Sequence, residues 1–310
     1  MAPATTYDVL ILGGGPAGMT AAIWSAQLGL NPALVEQRGE FGGQLARIFN
    51  PIENYPGVAA ADGNELRNLF MRSLDRCRFE RRSKTQVVKV DLAAKQMFLE
   101  NGESLAGRAI IVATGVRRRR LGIEGEDAFA GRGVMASGAG EKERVRGKRV
   151  VIVGGGDAAL ENSLILSEFA REVTVIHRRN DFSAREEFVN EARKRTNVRF
   201  EFETVAQRIV GNKLVEGIEL RKADGSFYLI ETDHVLIRIG VVPNSDLFKG
   251  QVQLDEHGYG VVSAACQTSI PGVFLAGDVA NPTSPTIATA VGMGATAAKA
   301  AFEFLTSKSK

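Results

Sequence analysis

Two glycine-rich turns, 141 positions apart, constrain this 310-residue chain more than any other feature: Gly13-Gly14-Gly15-Pro16-Ala17-Gly18 and Gly154-Gly155-Gly156-Asp157-Ala158-Ala159. Each follows a short apolar run, Tyr7–Leu12 and Arg149–Val153, and each opens a helical stretch, from Met19 and through Leu160–Phe169. Strand, glycine turn, helix and strand in that order is the setting in which a G-x-G-x-x-G match acquires meaning. The first glycine permits the tight turn and the second lets backbone approach a diphosphate. The last position must be small for helix–strand packing, and the helix N-terminus supplies N–H groups to an anion. The repeat predicts an α/β fold with two Rossmann-like nucleotide-binding units.

The ends of the following strands distinguish the two units. Twenty-three residues after Gly13 the strand Pro32–Val35 ends at Glu36, followed by Gln37, and an acid there suits a ribose with free hydroxyls. The same count from Gly154 reaches His177, followed by Arg178 and Arg179. No acid stands there to repel a phosphate, and two guanidiniums can grip one. The first site is predicted to take FAD or NAD, the second NADPH; a solvated strand end is the other reading of Arg178-Arg179.

Composition removes other classes. A net charge of +3 gives no general attraction to nucleic acid or membrane. The N-terminal apolar run stops after four residues, and no run approaches the ~18 needed for a membrane span. Cys77 and Cys266 are the only cysteines and lie 189 positions apart, and His177, His234 and His257 show no metal-ligand spacing. A cytoplasmic protein, with no nucleic-acid partner, no membrane and no metal, is expected. Strands are predicted at 85–100, 107–113, 197–203, 214–221 and 227–239, with a connector over 117–149. Helices are expected at Glu65–Arg76 and at about 286–305, the last with Ser284 as N-cap and Pro285 at its first position, before a short polar tail.

Gly13–Gly18, Gly42-Gly43-Gln44-Leu45, Glu53-Asn54-Tyr55-Pro56-Gly57, Ala113-Thr114-Gly115, Gly154–Ala159, His177-Arg178-Arg179 and Gly277-Asp278 occur in an order and spacing that resembles the low-molecular-weight, bacterial-type thioredoxin reductases over essentially the whole chain. The resemblance implies two Rossmann-like three-layer domains: an FAD domain from 1–117 and 245–310, and an inserted NAD(P)H domain at 118–244. It also implies a homodimer. By the same resemblance Gly13, Gly15, Pro16, Ala17 and Gly18 cradle the FAD diphosphate, and Glu36 with Gln37 holds the adenosine ribose. Gly43, Gln44, Leu45 and Asn54 line the ribityl and flavin region, and Val87 the adenine. Ala113, Thr114 and Gly115 pack on FAD, while Gly277 and Asp278 bind its ribityl-diphosphate side. The helix beginning at Pro285-Thr286 directs its positive end at the flavin edge. Gly154, Gly156, Asp157, Ala158, Ala159, His177, Arg178 and Arg179 hold NADPH.

The chain departs from that family where the redox disulfide stands. Gly131-Arg132-Gly133-Val134-Met135-Ala136 leads into Ser137-Gly138-Ala139-Gly140, so Ser137 and Gly140 occupy the positions of the Cys-x-x-Cys sulfurs, and the acid after the motif is Glu141. A hydroxyl and a hydrogen cannot exchange with a disulfide. The family's Arg-Gln pair before the last helix is Pro285-Thr286, and its third phosphate-binding arginine is Ser183, with Arg185 two residues on. No catalytic side chain is identified. The chemistry that remains is electron transfer from NADPH through FAD to a non-disulfide acceptor such as ferredoxin, a quinone or another small oxidant. The alternative is a redox-silent FAD protein with a binding or regulatory role. Residues 117–149 hold ten Lys/Arg against five acids, a surface that would steer an acidic carrier such as ferredoxin or serve only as a solvated connector.

Overall fold

The computed structural model describes residues 5–307; of the expected polar tail, 307–310, Ser307 belongs to the last helix and 308–310 lie outside the described residues. The chain divides into two compact units: Met1–Arg117 with Val242–Lys310, and Arg118–Val241.

The first unit is organised by a seven-stranded sheet. Thr5–Leu12 lies between Pro32–Val35 and Ser104–Val112, parallel to both, and Glu80–Arg82 extends the parallel edge. Ser104–Val112 serves two partners because of its length. Its first residues pair antiparallel with Gln96–Leu99, and its last three pair parallel with Val273–Leu275, the strand made after the chain returns from the second unit. Side chains alternate along these strands, so both faces are covered. Val9, Ile11 and Ile111 pack on one face with Met19, Ala22, Ala297 and Ala301, from the helices Pro16–Gln27 and Ile287–Ser307. Leu10, Leu12, Ile110 and Val112 pack on the other with Val90, Met97, Phe248 and Leu275. Each of the larger side chains among these contributes about 1.5–3 kcal/mol, and the alanines less.

The second unit repeats the plan in smaller form. Its five strands run in the order Val198–Glu201, Glu172–Ile176, Arg149–Val153, His234–Ile237, Val134–Met135, all parallel. Val150 and Ile152 face the helix Asp157–Ser167 through Leu160 and Leu166. Val151 and Val153 face a three-stranded antiparallel sheet, Thr204–Gly211, Val215–Lys222 and Phe227–Glu231, through Ile209, Ile218 and Leu220. Helices, parallel sheet and antiparallel sheet make this unit three layers, as expected for the fold class.

Four local expectations are corrected. The single strand over 85–100 is a hairpin, Val87–Asp91 and Gln96–Leu99, turned where the Ala94 N–H binds the Asp91 carboxylate and Lys95 adopts a φ of 56°. Thr204–Gly211 is a strand that the predicted set lacked. The run 227–239 breaks into Phe227–Glu231 and His234–Ile237. Finally, the last helix, Ile287–Ser307, is capped by Thr286 and not by Ser284, so Pro285 lies before it rather than at its first position. Thr286 Oγ1 accepts from Thr289 N at 3.2 Å while Thr289 Oγ1 accepts from Thr286 N at 3.2 Å, a reciprocal capping pair.

Candidate nucleotide-binding sites

In the first unit the glycine turn leaves the strand Thr5–Leu12 under tight constraint. Gly13 has φ of 105°, and a Cβ there would stand 2.4 Å from the Ala113 carbonyl oxygen. A Cβ at Gly18 would stand 1.8 Å from the Gly13 oxygen, so this position serves helix–strand approach. Gly15 differs. A Cβ there would meet nothing nearer than Gly43 Cα at 3.9 Å, and the space it faces is a cavity of about 530 Å³. That volume lies in the range of small-molecule and cofactor sites.

The cavity is lined by Gly13, Gly15, Pro16, Ala17, Glu36, Gln37, Gly43, Gln44, Leu45, Val87, Ala113, Thr114, Gly115, Gly277, Asp278, Pro285 and Thr286. Two of the residues expected there stand elsewhere. Gly18 packs beneath the turn, and Asn54 is exposed on the loop after Ile52, because the Ile52–Ala60 bridge carries that loop outward. Sequence reasoning missed Arg38, Ile48, Thr85, Asn244 and Ile287, which also line the cavity. Arg38 and Thr85 flank residues it did find; Asn244 comes from a segment 230 positions from Gly14, with no local signal.

Hydrogen bonds set the walls. Glu36, buried at 7% exposure, accepts from Gly14 N at 2.7 Å and from Arg38 N at 2.8 Å, which aims an acceptor-only carboxylate where ribose hydroxyls can donate. Gln44 Nε2 donates to the Val116 carbonyl at 2.7 Å. Thr114 Oγ1 donates to the Asn244 carbonyl and Asn244 Nδ2 to the Thr114 carbonyl, both at 2.8 Å, closing the point where the chain leaves and re-enters this unit. Burial raises the Asp278 carboxyl above the usual range. The open space at Gly15, the acid at the ribose position and the capped helix N-terminus at Thr286 fit a dinucleotide with free ribose hydroxyls.

The second unit carries the matching constellation. Gly154 has φ of 152°, and a Cβ there would stand 2.1 Å from the Arg238 carbonyl oxygen. The middle glycine touches the residue at the strand end, as Gly14 does: a Cβ at Gly155 would stand 2.3 Å from His177 Nδ1. Gly156 faces open space, with Ser183 Oγ the nearest atom at 3.9 Å, and Asp157 and Ala158 begin the helix while Ala159 is buried. His177 packs against Phe182 at 5.7 Å, and its ionisation is lowered by burial first and by Arg179 and Arg178 next, so it is neutral at pH 7. Arg178 and Arg179 are exposed beside it. Ser183 does not reach outward: its N–H donates to the Gly155 carbonyl at 2.9 Å. Arg185 donates from N and Nε to the two Asp157 carboxylate oxygens, at 2.7 and 2.9 Å.

Ser137 and Gly140 form a capped turn. Ser137 Oγ accepts from Gly140 N at 3.1 Å, and Glu141 Oε1 accepts from the N–H groups of Ala136 and Ser137 at 2.8 and 2.9 Å. Glu141 Oε2 pairs with Arg144 at 2.8 Å. Cys266 is buried, with its thiol pushed up to about 11 by burial, and Cys77 is half-buried; both are free. All five acids of the basic segment 117–149 form ion pairs: Glu124 with Arg208, Glu126 and Asp127 with Arg120, Glu141 with Arg144 and Glu143 with Arg146. No helix among the described residues is long and apolar enough to cross a membrane.

Two dinucleotide folds, the second inserted in the first, define the class of two-nucleotide flavin and pyridine-nucleotide oxidoreductases. The chain belongs to the pyridine nucleotide-disulphide oxidoreductase family, whose model matches residues 7–294. It is 37% identical over 297 residues to a thioredoxin reductase of Mycolicibacterium smegmatis, covering 94% of each chain. It is 34% identical to a thioredoxin reductase of Listeria monocytogenes, covering 96% of this chain and 94% of that one. A crystal structure of Lactococcus lactis thioredoxin reductase superposes with a TM-score of 0.87 at 32% identity, over 97% of this chain and 99% of that one. The protein is a thioredoxin reductase-like oxidoreductase of this family.

Proposed function

We propose that this protein is an FAD-containing oxidoreductase that takes electrons from NADPH and passes them to an acceptor other than a protein disulfide. One observation carries the reading. Both nucleotide cradles are complete in outline, while the turn at Ser137–Gly140 holds no sulfur and uses the Ser137 hydroxyl as a helix cap. Hydride acceptance and onward electron transfer are the chemistry that a flavin supplies when bound in the first unit. The residues of this chain bind and orient. Glu36 receives ribose hydroxyls, Gly15 leaves room for a diphosphate, and the helix N-terminus at Ile287 presents partial positive charge. In the second unit the neutral His177, with Arg178 and Arg179, accepts a 2′-phosphate that an acid would repel. Glu141 is consumed by two backbone N–H groups and Arg144, so it stands as a structural anchor rather than a proton donor. We propose a homodimer, on likeness to the family. The net positive segment 117–149 suits an acidic carrier of the ferredoxin kind as acceptor.

The reading is tested by anaerobic mixing of the flavin-loaded protein with NADPH and then with NADH, following flavin absorbance. Bleaching by NADPH supports it. Flavin that stays oxidised with both nucleotides but bleaches with dithionite points instead to a redox-silent binding role. Turnover with a protein disulfide would overturn the choice of acceptor.

A further inference from the structure

The two nucleotide turns share more than their glycines, because the chain that follows each one returns to it in the same register. Gly42 N donates to the Gly14 carbonyl at 2.7 Å and, 141 positions on, Ser183 N donates to the Gly155 carbonyl at 2.9 Å. The strand ends match as well, with Glu36 N on the Arg82 carbonyl and His177 N on the Glu201 carbonyl, both at 2.8 Å. The same register sets Asp157 at the place of Pro16 and Arg185 at the place of Gln44. Pro16 and Gln44 both line the cavity of the first unit. Asp157 and Arg185 therefore stand at the rim of the matching space in the second unit, the open space beside Gly156.

Asp157 is the first residue of the helix Asp157–Ser167, so its carboxylate sits where a diphosphate would meet the helix N-terminus. Alone it would repel that group. Arg185 offsets the charge and is itself pinned: its N and Nε donate to the two Asp157 oxygens at 2.7 and 2.9 Å, and its guanidinium lies 4.3 Å from the centre of the Phe188 ring. One of the five guanidinium N–H groups is thereby used. The four on Nη1 and Nη2 make no hydrogen bond among the described residues, and the side chain is exposed.

We propose that Arg185 is a phosphate-binding residue of the second nucleotide site, donating from Nη1 and Nη2 to the diphosphate of the dinucleotide and leaving the 2′-phosphate to Arg178 and Arg179. The assignment rests on the nucleotide reading above. A guanidinium fork can take two phosphate oxygens at once, and its place at the helix entry rather than at the strand end decides which phosphate it meets.

Calorimetry with NADP⁺ and with adenosine 2′-phosphate, on flavin-loaded wild type and Arg185→Gln, tests it. NADP⁺, which carries the diphosphate, is expected to weaken by about tenfold or more in the variant, while adenosine 2′-phosphate, which lacks it, binds as in wild type. Equal NADP⁺ affinity in the two proteins overturns the proposal, and so does an equal loss for both ligands, which would move Arg185 to the 2′-phosphate. Repeating the comparison in an Asp157→Asn background separates contact from neutralisation. A direct contact keeps its tenfold loss there; a residue that only neutralises Asp157 shows none, and that result also overturns the proposal. Arg185→Lys, which keeps the charge without the fork, should recover part of the NADP⁺ affinity and serves if the glutamine variant folds poorly. Wild type that fails to bind NADP⁺ would remove the nucleotide reading and the proposal together, whereas binding that the variant leaves unchanged removes only the proposal.

Discussion

The carboxylate of Glu36 accepts the Gly14 backbone N–H at 2.7 Å, so the acid that ends one strand holds the turn that ends its neighbour. Binding and folding are therefore coupled at this residue. Glu36→Ala leaves two backbone N–H groups without their acceptor, at a cost of about 1–3 kcal/mol each where they are buried. The expected outcome is a lower melting temperature for the apoprotein and a protein that loses flavin on gel filtration. Glu36→Gln, which keeps one acceptor oxygen, should fall between. Full flavin retention in the alanine variant would show that the ribose is held elsewhere.

The glycines of each turn divide into those the chain needs and those a ligand needs. At Gly15 and Gly156 an added methyl meets open space, whereas at Gly18 it would meet the Gly13 oxygen at 1.8 Å. Gly15→Ala is expected to melt like wild type as apoprotein yet bind FAD at least about tenfold more weakly. Gly156→Ala should do the same for NADPH alone. Gly18→Ala should fail to accumulate as folded protein. Thermal melts paired with cofactor titrations read both effects, and equal stability losses at all three positions would refute the division.

His177 makes stability depend on pH. Its folded-state ionisation lies below the ordinary value of 6.5, so the contribution is fully present above that value and is lost as pH falls through the depressed one. His234, lowered mainly by burial, acts with the same sign. Urea melts taken between about pH 7.5 and pH 5.5 should show stability falling as the solution is acidified. His177→Gln should flatten part of that slope, and adding His234→Gln more of it. An unchanged slope in the double variant would assign the effect to carboxylates.

Glu141 gives a contrast between two substitutions. Glu141→Gln keeps an oxygen for the Ala136 and Ser137 N–H groups and gives up only the pair with Arg144, which is half-exposed and worth about 0–1 kcal/mol. Glu141→Ala removes the acceptor as well, and should cost roughly 1–3 kcal/mol. Denaturant midpoints compare them directly; equal losses would mean that the ion pair with Arg144, and not the backbone N–H groups, holds the turn.

The glycine turns were legible because their requirement is local: a left-handed backbone at Gly13 and Gly154 and a small residue at the helix entry leave a mark within six residues. Glu36 and His177 were legible by count alone. The hairpin at Leu92–Lys95 was not, since its turn carries no glycine or proline and depends on the Asp91 side chain. Thr204–Gly211 was hidden by a bulge: the register shifts between Ala206 and Arg208, so the buried positions pass from Thr204 and Ala206 to Ile209 and period two is broken. Asn244 in the cavity wall comes from a segment far from the glycine turn in sequence, so no local pattern announces it. Asn54 shows the reverse failure, where a motif placed a side chain that its loop carries away.

Gly294 allows the last helix to lie directly on the first, since a methyl there would stand 2.2 Å from the Ala17 oxygen, and Gly277 similarly abuts Ala17. The floor beneath the first nucleotide turn is thus supplied by residues that leave the ribosome nearly 300 positions after Met1. During synthesis the second unit emerges whole while the first still lacks Val273–Leu275 and the helix that seals it. The inserted unit is therefore complete in chain order before the outer one, and the earliest glycine motif to be made waits longest for its packing partners.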